Sequence, residues 1–424
     1  MTALYEELSW RGLVYDATEG VEEALAKEWV TAYIGFDPTA SSLHVGNLLV
    51  LMALARLQRG GHSPIAIAGG GTGLIGDPSG KSQERSLLSL EQIEQNLAAI
   101  KPQLARFLDF DAAPNPARLI NNADWLGEID LLGFLRDTGK YFTVNYLLQK
   151  ESVNRRFESD EGISYAEFSY LLLQARDFLE LFDRFGCTLQ MGGSDQWGNI
   201  TAGIDLIRKV RAKKAHGLVI PLVTTASGVK FGKTEAGAVW LDPARTPPFA
   251  FYQFWLNVDD RDVLNYLKYF TFLDRDTIAA LEQAHLAAPD KREAARVLAR
   301  EVTTLVHGAE EAGKAERGAV TLFSGDLSSM SAAEILSVLG DVPCTTVSAR
   351  ELEQHALPKW LATTGLASSS SEATRLIRGG GIYVNNERVT DEKKRLGRVD
   401  AIGQEIIVLG KGQRQKHVLR VSPE

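Results

Sequence analysis

Between Trp29 and Phe36 the apolar residues alternate as they do in a strand. Leu48–Leu57 is almost continuously apolar and stops at Gly60–Gly61, and Pro64–Ala68 is another short apolar run. That order predicts a strand, a loop, a buried helix with a glycine stop, and a second strand. The rhythm returns downstream. Phe168–Phe178 has helical spacing, Cys187–Gly192 and Leu218–Val223 read as strands, and Ile200–Arg211 as the helix between them. Residues 87–150 read as helix-rich, broken by DAAPNPARLINNADW, a loop followed by a strand. The RTPP of Arg245–Pro248 interrupts the pattern. Residues 250–320 then carry apolar positions at 3–4 spacing, as in Phe249–Leu256 and Ala294–Leu305, and Gly and Ser collect near 324–331. The tail opens with a helical pattern at Lys359–Leu366. SSSSEATRLIRGGGIYVNNERV then predicts a capped helix, a glycine stop and a strand with an Asn-Asn turn. Alternating strands and helices imply an α/β fold followed by a helical stretch.

At 424 residues the chain is too long for one ordinary core, so two or three domains are expected. No apolar run reaches membrane-spanning length, and the acidic MTALYEELSWRG lacks a secretory or transit pattern, so a cytoplasmic location is expected. The two cysteines, Cys187 and Cys344, have no metal-ligand spacing, which argues for a reducing compartment and against structural zinc. Cys187 flanks an apolar run and reads as a core thiol. The net charge is −8, yet from His355 onward 12 Lys/Arg face 7 Asp/Glu. A basic tail on an acidic body suits a polyanion held at one end, or simply a solvated surface.

The candidate chemistry follows the strands. In YIGFDPTASSLHVGN, Thr39, His44 and Asn47 offer a hydroxyl, an imidazole and an amide where a loop feeds a helix N-terminus, a place that favours anions. Gly46 keeps the backbone close to what binds. An ordinary strand-to-helix turn fits the fragment as well. GGGTGLIGDPSGK is neither a strict P-loop nor a dinucleotide fingerprint, so its glycines are expected to let a substrate approach. Lys81 and Arg85 in the GKSQER that follows could reach phosphates. Tyr170, Gln174 and Asp177 fall on one helical stripe, either facing solvent or building a polar pocket. GGSDQWGN sets Asp195 and Gln196 beyond the end of a strand, where open α/β sheets bind ligands. KFGKT places Lys230 and Lys233 in a loop able to follow charge moving onto a leaving phosphate.

The HVGN and KFGKT words resemble the two signatures, HIGH and KMSKS, of class I aminoacyl-tRNA synthetases. YIGFDPTASSLHVGN, GGGTGLIGDPSGK, FSYLLLQARDF and GGSDQWGNITAGIDLIRK resemble the bacterial-type tyrosyl enzymes of that class. The resemblance implies a Rossmann-like catalytic domain at 1–244, with an insertion near 120–165 that carries a homodimer contact and a KFGKT loop at 225–236. It implies a helical domain at 245–325, a linker at 326–354, and a small α+β S4-like RNA-binding domain at 355–424. It implies ATP as substrate with Mg²⁺ alongside, L-tyrosine and tRNA(Tyr) as partners, and no tightly bound organic cofactor or dedicated metal site. Tyr33 and Asp177 would hold the substrate phenol, Asp77, Tyr170 and Gln174 its ammonium, and Gln196 would orient its surroundings. Asp37, Gly46, Asp195, Phe231, Gly232 and Thr234 would line the ATP site, with Asp195 on the ribose. Thr39, His44, Asn47, Lys81, Arg85, Lys230 and Lys233 would stabilise the transition state. Arg375 and Arg378 would face tRNA phosphate.

Three positions depart from the pattern. Asn47 replaces the second His of HIGH, and modest change is expected because an amide still donates. Thr225 stands where some relatives have Lys, a difference the sequence does not explain. Ile34 stands where relatives carry a thiol near the ribose, so weaker ATP binding is expected. Ile34→Cys should lower the Michaelis constant for ATP, and an unchanged constant removes the idea. A tryptophan-specific relative, a nucleotidyltransferase with another acceptor, and an RNA-binding protein on an inactive scaffold are the competing readings.

Overall fold

The computed structural model describes every residue except 1–3, 80–87, 158–161, 227, 229–230, 235–236, 325–326, 328–330, 340–341, 413–414 and 423–424. Six strands form the first sheet: β1 (Asp16–Ala17), β2 (Thr31–Phe36), β3 (Ser63–Ala68), β4 (Arg118–Asn121), β5 (Cys187–Gly193) and β6 (His216–Ile220). Their spatial order is β1-β6-β5-β2-β3-β4. All pairings are parallel except that of β1 with β6. From β2 the chain winds one way through β3 and β4 and the other way through β5 and β6. The order reverses between β2 and β5, the topological switch point where such sheets bind ligands beyond their carboxyl ends.

The strands are apolar on both faces because helices cover both. β3, SPIAIA, is buried at every position. The Val45–Arg59 helix buries eleven of its fifteen residues. The Tyr165–Phe185 helix is capped by Ser164, whose Oγ accepts from the Glu167 N–H, and ends on Gly186 in the left-handed region. It packs with the Trp197–Arg211 helix around Tyr33, Ile65, Phe178, Leu179 and Leu206. Cys187 is buried in that cluster. Fully burying one side chain of this size contributes about 1.5–3 kcal/mol.

Contacts divide the chain into 1–245 with 258–298, and 246–257 with 299–424. Residues 258–298, grouped by the sequence reading with the helical stretch, thus pack with the first sheet. In the second unit, β9 (Cys344–Ser348), β10 (Ile382–Val384), β11 (Glu387–Val389), β12 (Ile406–Lys411) and β13 (Gln415–Ser422) form a five-stranded sheet. Asn385 and Asn386 both have positive φ, 51° and 67°, and make the two-residue turn between β10 and β11. The stretch 326–354 does not run as a linker. It contains the Ala332–Val338 helix, β9 and the Ala349–Gln354 helix, and β9 lies parallel to β13. The β-branched CTTVS suits a sheet edge, a signal too short to stand out in sequence.

Candidate active site

The HVGN word builds its site through helix capping. His44 is the N-cap of Val45–Arg59. Its Nδ1 accepts the Gly46 N–H at 3.0 Å, while Asn47 Oδ1 accepts the His44 N–H at 3.1 Å. This is a reciprocal capping box, so Asn47 orients His44 through its carbonyl as well as offering its amide. The accepted N–H leaves the imidazole proton on Nε2. A Cβ on Gly46 would lie 2.7 Å from the His44 ring, so only glycine lets the imidazole fold over the first turn. Trp240 closes the other side, edge-on to His44 at 5.9 Å.

Tyr33 and Asp177 meet on the floor of a cavity of about 380 Å³ at the switch point, a volume in the small-ligand range. The Tyr33 hydroxyl is buried and, among the described residues, has no hydrogen-bond partner, and neither has Gln190 Oε1. The two residues are register partners on β2 and β5 and both line the cavity. Burial and the Asp177 charge push the Tyr33 hydroxyl well above the ordinary phenol range, so it is a donor at neutral pH. Asp177 accepts from Asn122 Nδ2 at 2.9 Å and from Trp125 Nε1 at 2.8 Å. Burial pushes its carboxyl up to about 7, against the pull of those two donors, and the Asp37 charge adds to the rise.

Two polar chains lead away from this floor. In one, Tyr170 donates its hydroxyl to Asp37 Oδ2 at 2.8 Å, Thr72 Oγ1 donates to Asp37 Oδ1 at 3.0 Å, and Asn122 Nδ2 donates to Thr72 Oγ1 at 2.9 Å. In the other, Gln196 Nε2 donates to Asp77 Oδ2 at 2.7 Å and Gln174 Nε2 to Gln196 Oε1 at 3.1 Å. Asn199 Nδ2 donates to Gln174 Oε1 at 2.9 Å. Asp37, Asp77 and Asp177 make the inner cavity anionic and fit for a cation such as an ammonium group. Asp37, expected on the ATP side, is tied to the Tyr170 side of the cavity. The glycines of GGGTG also serve the protein's own packing: a Cβ on Gly69 would fall 2.0 Å from Asp37 Oδ1. Gly69 thus makes room for the protein's own carboxylate, Gly70 for Asn121 and Gly71 for Leu126.

Asp195 is exposed at the mouth, and Thr39 is exposed beyond β2. Gly46, Phe231 and Gly232 line the same cavity. Lys81, Arg85 and Lys230 lie outside the described residues. Lys233 and Thr234 form β7, which pairs with β8 (Gly237–Ala238). In the second unit Arg375 and Arg378 are exposed on the Ser370–Arg378 helix, but Arg378 forms a bidentate pair with Glu392 at 2.6 and 3.0 Å. Any phosphate would have to displace that carboxylate. Asn122, Trp125, Thr72, Gln190 and Asn199 are the site residues that sequence reasoning missed. The first two lie in INNADW, where an NN pair signals a turn and nothing in the spacing points at a helix some fifty residues on.

Residues 25–324 match the family model for class I tRNA synthetases of the tryptophan and tyrosine type, and residues 357–402 match the S4 domain. A protein of Roseiflexus castenholzii named tyrosine–tRNA ligase is 56% identical over 423 residues, covering 99% of this chain and 100% of that protein. The tyrosine–tRNA ligase of Bacillus caldotenax is 51% identical over 420 residues, covering 98% and 99%. The crystal structure of a C-terminally truncated mitochondrial tyrosyl-tRNA synthetase of Aspergillus nidulans superposes with a TM-score of 0.70 at 32% identity, covering 76% of this chain and 95% of that one. The cavity, its two signature loops and the S4 module therefore sit in a chain that belongs to the tyrosine–tRNA ligases, within the class I tRNA synthetases.

Proposed function

We propose that this chain activates L-tyrosine with ATP in the switch-point cavity and then transfers it to the 3′ end of tRNA(Tyr). The observation that carries the substrate choice is the orphaned Tyr33 hydroxyl beside the Asp177 carboxylate. A phenol bound there accepts from Tyr33 and donates to Asp177, which satisfies a buried group that otherwise costs about 1–3 kcal/mol. Asp77, Tyr170 and Gln174 take the ammonium, with Gln196 bracing Asp77 and Gln174. The tyrosine carboxylate oxygen attacks the α-phosphorus, the bond to the β-phosphate oxygen breaks, and pyrophosphate leaves. A terminal ribose hydroxyl of the tRNA then attacks the acyl carbon and AMP departs.

No side chain has to act as nucleophile. Asp195 at the mouth suits the ribose. Thr39, the Nε2–H of His44, Asn47 and the lysines and arginine of the two loops meet charge on the phosphates. Mg²⁺ enters with ATP as part of the substrate. Among the described residues no group of three His, Cys, Asp or Glu side chains could cage it, so no step is assigned to it. Arg375, and Arg378 once released from Glu392, supply phosphate contacts for tRNA. Among the described residues no helix is long and apolar enough to cross a membrane. The buried and unpaired Cys187 thiol supports a cytoplasmic setting.

The working form is a homodimer. Leu131, Leu132, Val144 and Tyr165 are 61–76% exposed, and Ile129, Leu131, Phe134 and Tyr165 flank an apolar groove of about 330 Å³. Exposed apolar side chains beside an apolar groove call for a partner, and a second copy supplies an apolar face of its own. Leu132→Asp should turn a dimer into a monomer in sedimentation equilibrium; a parent chain that sediments as a monomer removes the idea.

The deciding experiment is amino-acid-dependent ATP–pyrophosphate exchange without tRNA, with tyrosine, phenylalanine and tryptophan in parallel. Exchange with tyrosine alone is expected. Exchange with none of them moves the RNA-binding reading to the front.

A further inference from the structure

The segment that carries KFGKT is tied down at its described residues by a helix with no place in the chemistry above. That helix is Val263–Phe270. At its head, Asp262 is buried, and its Oδ2 accepts the Ala226 N–H at 2.9 Å instead of capping its own helix. Further along, Phe231 is 6% exposed, with its ring 4.9 Å from that of Tyr266 and 5.3 Å from that of Phe270. The next residue, Gly232, has a φ of +82°, and a Cβ there would lie 2.6 Å from Val45 Cγ2. Val239 donates its N–H to Gly232 O at 3.1 Å, and Val45 donates its N–H to Val239 O at 2.9 Å. One side of the segment is therefore fastened to the Asp262 helix and the other to the first turn beyond His44.

The Asp262 helix is itself fixed to the helix that starts at His44. Arg56, three turns along from His44, donates to Lys268 O at 3.2 Å and Thr271 O at 2.6 Å. Arg11 donates to the same two carbonyls, at 2.9 and 3.2 Å, and to Leu273 O at 2.6 Å. Both guanidiniums are buried. A helix C-terminus whose open carbonyls are held by two buried cations is well fixed.

We propose that Asp262, together with the Tyr266–Phe270 socket of Phe231, is a positioning device that fixes the KFGKT segment relative to His44 and Asn47. The inference rests on the activation chemistry proposed above. Lys230 directly precedes Phe231 in the chain and Lys233 follows it by two, so an anchor on Phe231 and Gly232 constrains the backbone between the two lysines. Contacts that strengthen only as pyrophosphate leaves depend on that register, and a displacement of about 1 Å can cost about 100-fold in rate.

The test uses the full chain with Asp262→Ala, Asp262→Asn and Tyr266→Leu. Tyrosine-dependent exchange gives kcat and both Michaelis constants, and single-turnover transfer from preformed tyrosyl-adenylate to tRNA is followed separately. Asp262→Ala should lower kcat for exchange about 10-fold or more, leave the Michaelis constant for tyrosine within about twofold, and leave transfer unchanged. Asp262→Asn keeps a carbonyl oxygen for the Ala226 N–H and should recover most of the loss. Unchanged kcat in Asp262→Ala, or a parallel loss of tyrosine affinity and transfer, overturns the inference. If Asp262→Ala does not fold, Tyr266→Leu decides, since it empties one wall of the Phe231 socket and should give the same kcat-only loss. A parent chain without exchange overturns the activity reading and this inference together, whereas exchange indifferent to Asp262→Ala overturns the inference alone.

Discussion

Replacing Asp177 with Ala is expected to lower kcat/KM for tyrosine about 1000-fold and to leave that for phenylalanine almost unchanged, so that the preference largely collapses. The carboxylate sits at the buried end of the cavity, where a phenol hydroxyl has no water to bond instead. Losing a hydrogen bond to a buried charge costs several kcal/mol because the substrate group is stranded as well. Sites built around a substrate hydroxyl reject the analogue lacking it, a rule for which tyrosyl enzymes are themselves the standard illustration. The same carboxyl gives a pH signature. Its level of about 7 stands far above the 3.8 of a free aspartate. Below about 7 it takes up a proton and stops being a pure acceptor, so the Michaelis constant for tyrosine should fall as pH rises through 7.

Asn122→Ala removes one of the donors that hold the Asp177 carboxyl down. The midpoint of that profile should move up, and a midpoint that stays put would assign the titration to another group. The stability consequence runs the other way. A carboxyl whose folded value is raised binds its proton more tightly in the native state. Its contribution to stability is fully present below about 3.8 and is lost as pH climbs toward 7. Ligand affinity and stability therefore have opposite pH slopes from one side chain.

The parts of this molecule that were legible in sequence are those encoded locally. The apolar runs at β2 and β3, the glycine stop after the Val45–Arg59 helix and the serine cap of Ser370–Arg378 all follow from neighbours within a few residues. The stripe of Tyr170, Gln174 and Asp177 was legible as polar, because helical spacing is a local property, but its partners were not. Asp177 is held by residues 52 and 55 positions away, and Asp77 by one 119 positions away. No periodicity carries that information. The packing role of Gly69 is hidden for the same reason: space for a ligand and space for Asp37 look alike in a string of glycines. Residues 258–298 have the same helical spacing as 299–324, while the docking of Phe270 and of the Lys268 and Thr271 carbonyls within the first unit is a tertiary fact.

His44→Ala is the second large effect, and here the geometry separates two jobs in one ring. Nδ1 caps the helix, which leaves Nε2 as the ring's N–H donor on a residue that lines the cavity. The alanine variant should lower kcat for exchange by about 100- to 1000-fold, the range found when one preorganised donor to a developing oxyanion is removed. Tyrosine affinity should hardly move, because the phenol floor is built by Tyr33, Asp177, Asn122 and Trp125. Two further variants divide the roles. His44→Asn keeps an acceptor at the capping position and should retain most of the cap, worth about 1 kcal/mol, without restoring rate. His44→Gln extends an N–H toward the place of Nε2 and should recover part of the rate without the cap. Thermal stability should therefore rank Asn above Gln and Ala, while kcat ranks Gln above Asn and Ala. Crossed orders mean that the imidazole contributes a directed proton donor. If kcat instead follows melting temperature across the series, His44 serves the reaction only by holding the first turn of its helix in place.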